Sequence, residues 1–233
     1  MRKKLVGPRA AVRMTAVVAV AGLAVAGCAT TRLGAAAVTV NSRISSTTLI
    51  SQVSDLNTAY TADKAKGLTP QRPTGQKTQQ VLTWLILFKI YDEVAAQHNI
   101  HVTPAQAQAQ LSGLSSQAKQ NKATLPEYVS AAGALPPDLT PQLGQYFAIL
   151  SALENKLDGG TMPTGTTAQN KLQSQVGHAQ CLAAKSLAVK VNPQFGEFDY
   201  SSYSVVPAPP KLAAAPSPTP SASASPAVLN PPC

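Results

Sequence analysis

Leu139, Leu143, Tyr146, Leu150, Leu153 and Leu157 recur at alternating steps of four and three. With about 3.6 residues per turn, only an α-helix brings six such side chains to one side. The same spacing recurs along the chain in pieces of one to two dozen residues, several of them closed by Gly or Pro. A chain punctuated this way folds as several short amphipathic helices. A continuous sheet would need a period of two.

The punctuation predicts each piece. Ile44 acts as a staple and Ser45 as an N-cap for a helix whose face carries Leu49, Val53, Leu56 and Tyr60, and Gly67 and Pro70 stop it. Thr74 caps a second helix running to about His98. Val81, Trp84, Leu85, Phe88, Tyr91 and Ala95 line it, and Leu82, Ile86 and Leu87 widen its apolar surface. A helix apolar on most sides belongs at the centre of its domain. Thr103-Pro104-Ala105-Gln106 supplies a cap, a Pro at N1 and a Gln at N3 for a third helix to about Gln120. Thr124 to Glu127 repeats that signal for a short helix ended by Gly133, and Pro136-Pro137-Asp138 opens the striped helix, which Asp158-Gly159-Gly160 closes. After a linker at 160–166, a last helix spans roughly 167–187 with Leu172, Val176, Ala179 and Ala183 on one face. Residues 37–41 and 187–192 read as short strands. The expected fold class is mainly α, about six helices in one core.

The two ends differ in kind. Residues 1–13 are basic, and 14–27 form an apolar run shorter than the ~20 residues that span a bilayer. That layout is a signal peptide. It closes on Val25-Ala26-Gly27-Cys28, which resembles the lipobox of bacterial lipoproteins. The resemblance implies a diacylglycerol on the Cys28 thiol, cleavage before Cys28, residues 28–36 as a lipidated tether, and anchoring at the extracytoplasmic face of the cell membrane. Residues 207–233 are rich in Pro, Ala and Ser and are expected to form a disordered tail. Net charge is +9, but from Cys28 onward fourteen basic residues face ten acidic ones, a net +4. No nucleic-acid partner is expected from so modest a charge.

Ala37-Val38-Thr39-Val40-Asn41-Ser42-Arg43-Ile44-Ser45, with Leu49 beyond, resembles the opening of SurA-type chaperone domains. Lys190-Val191-Asn192-Pro193-Gln194-Phe195-Gly196-Glu197-Phe198-Asp199 is similar to that family's closing segment, and helices of the expected number and order lie between. Ser42 replaces a usual Gly, and Gln194 a frequent Arg. The resemblance implies a small two-stranded closure pairing 37–41 with 188–192, and one chaperone domain over 37–206. SurA and PrsA relatives carry a prolyl-isomerase module of about a hundred residues before the last helix. The corresponding connection here, Asp158 to Thr167, is too short to hold one. The resemblance thus implies a membrane-tethered holdase for unfolded exported proteins, without catalysis. The alternative is an interaction lipoprotein that docks one native envelope partner.

No catalytic set is expected. His98, His101 and His178 lack neighbours at metal-ligand spacing, so neither a metal nor a cofactor is expected. Asp92 and Glu93 are adjacent and diverge on a helix. Trp84, Phe88 and Tyr91 at helical spacing, with Phe147, are the candidate client-binding residues, although such a stripe also serves core packing. Cys181 falls almost opposite Leu172 on the last helix and is expected to be accessible. Export permits disulfides, and a tail from Pro207 is long enough to return, making Cys181 and Cys233 a disulfide candidate. Two free thiols or an intermolecular bridge are the alternatives.

Overall fold

A computed structural model describes residues 34–160 and 164–208. The expected signal peptide (1–27), the expected lipidation site Cys28 with tether residues 29–33, and residues 209–233 of the expected tail, with Cys233, lie outside the described residues.

The described chain is mainly helical, with two small sheets. Strand β1 (Ala35–Val38) and strand β2 (Arg43–Ser45) form a tight hairpin. Helices α1 (Ser46–Ala65), α2 (Lys77–Gln97), α3 (Pro104–Gln120), α4 (Leu125–Gly133), α5 (Thr140–Leu157) and α6 (Thr166–Leu187) follow. Strand β3 (Lys190–Val191) returns to β1, and β4 (Glu197–Asp199) pairs with β5 (Ser204–Val206) in a second hairpin. A 3-10 turn precedes each of α2 and α5.

Most helix starts obey the expected chemistry. The Ser45 hydroxyl accepts from Thr48 N at 2.9 Å. Thr103 and Gln106 form a reciprocal capping box, and the Thr124 backbone N–H donates to the Glu127 carboxylate at 2.8 Å. Each such cap contributes about 1 kcal/mol. Thr74 is different: it opens the 3-10 turn Thr74–Gln76, and α2 begins at Lys77. Gly133 is the last residue of α4, and Ala134 takes the left-handed cap position with φ 53°.

The closure of the two ends is present and larger than expected. Ala37 pairs with Val191 and Val38 with Lys190, antiparallel, and β2 adds a third strand in the order β2-β1-β3. The first strand starts at Ala35 rather than Ala37, because Ala35 and Ala36 are buried small residues that belong to the core and not to a tether. It ends at Val38, because Thr39 N donates to Ser42 O at 2.9 Å and the Thr39 and Ser42 hydroxyls lie 2.9 Å apart, closing a turn. Asn192 stitches the far end: its backbone N–H donates to Ala36 O at 2.8 Å and its side chain to Ala35 O at 3.1 Å.

Helix α2 is the central element, packed against α1, α5, α6 and β5. It buries Val81, Leu82, Ile86, Ile90 and Val94 in the main core with Leu49 and Leu56 of α1, Ile149 and Leu153 of α5, and Ala183 and Ala184 of α6. A smaller cluster of Phe88, Leu111, Val129, Leu135, Leu139 and Leu143 joins α3, α4 and α5. Helix α3 has a thin apolar face, and it docks through backbone proximity. A Cβ on Gly144 would fall 2.7 Å from Ala107 O and 2.9 Å from Leu111 Cγ.

Candidate functional site

The two cores meet along a seam of rings. Tyr146 of α5 is its hub. Its ring centroid lies 4.4 Å from Tyr91, 5.0 Å from Phe147, 6.2 Å from Trp84 and 6.4 Å from Phe88. An opening lies on each side of the seam.

The larger opening is a groove of about 660 Å³. Its floor is the 3-10 turn and the first half of α2, through Gln76 of the turn and Gln80, Thr83, Trp84 and Leu87 of the helix, with Tyr146 beneath. Gln180 of α6 stands on one side, and the β4–β5 hairpin forms the other wall through Tyr203, Val205 and Val206. The indole N–H of Trp84 donates to Gly133 O at 2.9 Å, fixing the ring with part of its face open. Val205 N donates to the Thr83 hydroxyl at 2.8 Å, which ties the hairpin to the floor. Gly196 permits this wall: with φ +129°, a side chain there would strike Val206 O. Among the lining residues Arg72 is the one charged side chain. Aromatic faces beside amide groups suit an extended peptide, which offers apolar side chains and backbone hydrogen-bonding groups together.

The smaller opening, about 240 Å³, lies across the seam between Phe88, Tyr91, Leu139 and Ile149. Lys89 pairs with Asp92 at 3.3 Å at its edge. Burial, then the neighbouring Tyr146, pushes the Tyr91 phenol far above its ordinary range, so it packs as a neutral ring.

The four candidate client residues thus part company. Trp84 lines the groove. Phe88 and Tyr91 are buried, at 9% and 3% exposure, and line only the smaller cleft. Phe147 keeps part of its surface but borders neither opening. Tyr203 and Val205 were not expected at the site. Their signal is weak: Ser204-Val205-Val206 holds two β-branched residues, but Glu197-Phe198-Asp199 holds a single β-former between two acids.

Cys181 corrects the expectation of an accessible thiol: it is 1% exposed and disulfide-bonded. The helix wheel misleads because α6 is covered on two sides. Gly177, one turn earlier on the Cys181 face, accepts from the Tyr203 hydroxyl at 3.5 Å. The chain's other cysteines, Cys28 and Cys233, lie outside the described residues. Among the described residues no group of three or more His, Cys, Asp or Glu could hold a metal ion, and no helix is long and apolar enough to cross a membrane.

No protein-family model, curated protein or solved structure matches this chain.

Proposed function

We propose that the protein is a lipid-anchored extracytoplasmic holdase, which receives unfolded segments of exported proteins in the groove over Trp84 and releases them unchanged. The observation that carries this reading is the groove's composition: ring faces from Trp84, Tyr146 and Tyr203 among glutamine amides, with almost no charge. Such a lining grips apolar side chains and peptide groups without demanding one sequence. The resemblance of both chain ends to SurA-type domains, and of Val25–Cys28 to a lipobox, supports the same reading. A lipid on Cys28 would keep the domain beside the membrane where exported chains emerge. Binding would be non-covalent, weak and broad.

A photo-crosslinking residue at Gln79 or Val206, both on the groove, tests this in the cell envelope. The reading expects adducts with several unrelated non-native chains, and few from Ser116 on the exposed face of α3. Adducts with a single folded protein would replace it with the dedicated-partner reading.

A further inference from the structure

The groove's wall is also where segment 207–233 begins. Val206 and Pro207 line the groove, and the described residues end at Ala208. The segment carries nine prolines and a single charge, Lys211, and the groove lining holds no acid that would seek a basic partner. Its other end is Cys233. Cys181 is disulfide-bonded, and its neighbour Gln180 lines the groove. Two other cysteines exist in the sequence, and a lipidated Cys28 has no thiol to offer, which leaves Cys233. Val206 and Pro207 on one wall, and Gln180 beside Cys181 on another, thus bracket the groove. A polyproline II chain of the segment's length, at ~3.1 Å per residue, is long enough to cross the opening.

The chemistry matches. Proline-rich chains present bare carbonyls and apolar ring faces, and they dock on aromatic grooves edged with hydrogen-bond donors. Trp84, Tyr146 and Tyr203 supply the rings, and Gln76 and Gln180 supply amides. Gln80 donates to Pro73 O at 3.0 Å, and its buried Oε1 has no partner. A Ser, Thr or backbone donor from the segment would satisfy it.

We infer that Pro209–Pro220 is the resident occupant of the groove, held there as a loop closed by a Cys181–Cys233 disulfide. Tethering at both ends keeps the segment at an effective concentration in the millimolar range, so weak docking suffices. Any other ligand must displace it. The inference rests on the lipid-anchored part of the proposed reading, which takes Cys28 out of disulfide chemistry, but it does not require the groove to accept foreign chains.

Trp84 is the only tryptophan in the chain, so its fluorescence reads the groove directly. Acrylamide quenching is compared in three full-length proteins: the native chain, a variant with Pro209, Pro210, Pro216, Pro218 and Pro220 all changed to Ser, and Cys233→Ser. Circular dichroism confirms that each is folded. If the segment covers the groove in most molecules, the quenching constant rises about two-fold or more in the proline variant, less in Cys233→Ser, and falls again with excess synthetic 207–222 peptide. Equal quenching in all three folded proteins overturns the inference. So does a non-reducing peptide map joining Cys181 to Cys28.

Discussion

Asp63 and Glu127 sit at the joint between α1 and α4 and titrate in opposite senses. Asp63 is fully buried. One carboxylate oxygen accepts from the Ser130 hydroxyl at 2.7 Å, and the other has no partner. Burial raises its pKa above the usual 3.8. Glu127 pairs with Lys66 and caps Thr124, which pulls its pKa down to about 2. A raised carboxylate stabilises the fold fully below 3.8, and that contribution is lost as pH rises through its folded value; a lowered one contributes above 4.5 and is lost as pH falls towards about 2. Melting temperature is therefore expected to climb as pH falls through Asp63's raised value towards 3.8, and to be drawn down as pH falls from 4.5 towards about 2. Asp63→Asn flattens the upper slope and adds on the order of 1 kcal/mol near pH 7, while Glu127→Gln flattens the lower one. Scanning calorimetry across pH checks both. A native profile unchanged by Asp63→Asn would contradict the burial argument. Neither partnership was legible in the sequence. Glu127 was readable as a helix-start residue, but Lys66 and Ser130 reach these carboxylates only through tertiary packing of helices far apart in the chain.

At the scale of elements, the starts and stops of helices were largely written in the sequence, because caps act within three or four residues. Ser45, Thr103 and Thr124 are where local chemistry requires them. The closing of the ends was readable only through the resemblance, since it depends on Asn192 reaching β1 across the whole domain. What the sequence left open was the docking of helices with weak stripes. Helix α3 is held by Gly144, which has no local signal at all: it sits mid-helix, and its role appears only once Ala107 O lies against it. Because that contact is backbone and cannot swing aside, Gly144→Ala is expected to cost about 1–3 kcal/mol as overpacking, despite the better helix propensity of Ala. Urea unfolding reads this as a lower midpoint at unchanged slope. An unchanged midpoint would mean that α3 floats on α5 and that the smaller core is not tightly built. The β4–β5 wall of the groove was hidden for a related reason: strands of three residues are too short to announce themselves, and Tyr203 gains meaning only against α6.

For the whole molecule, the seam of rings between two cores explains why a groove exists on a domain so poor in aromatics. The main core is built mostly of aliphatic side chains. The smaller one meets it through Trp84, Phe88, Tyr91 and Tyr146, and the opening falls where the rings meet the hairpin. Trp84 was legible as a candidate because it is the chain's one Trp, set at helical spacing with Phe88 and Tyr91, and it lines the groove. Phe88 and Tyr91 lie on the same stripe but turn inward between α2 and α5, which spacing alone does not separate. The central claim is that this groove binds unfolded chains broadly. Its most direct measurement is light scattering of two unrelated, chemically unfolded proteins diluted into an equimolar amount of the folded full-length chain carrying the five Pro→Ser changes, so that the groove is open to them. The account predicts that aggregation of both is slowed and that Trp84→Ser, still folded, loses most of the effect. No slowing of either by a folded sample would contradict it.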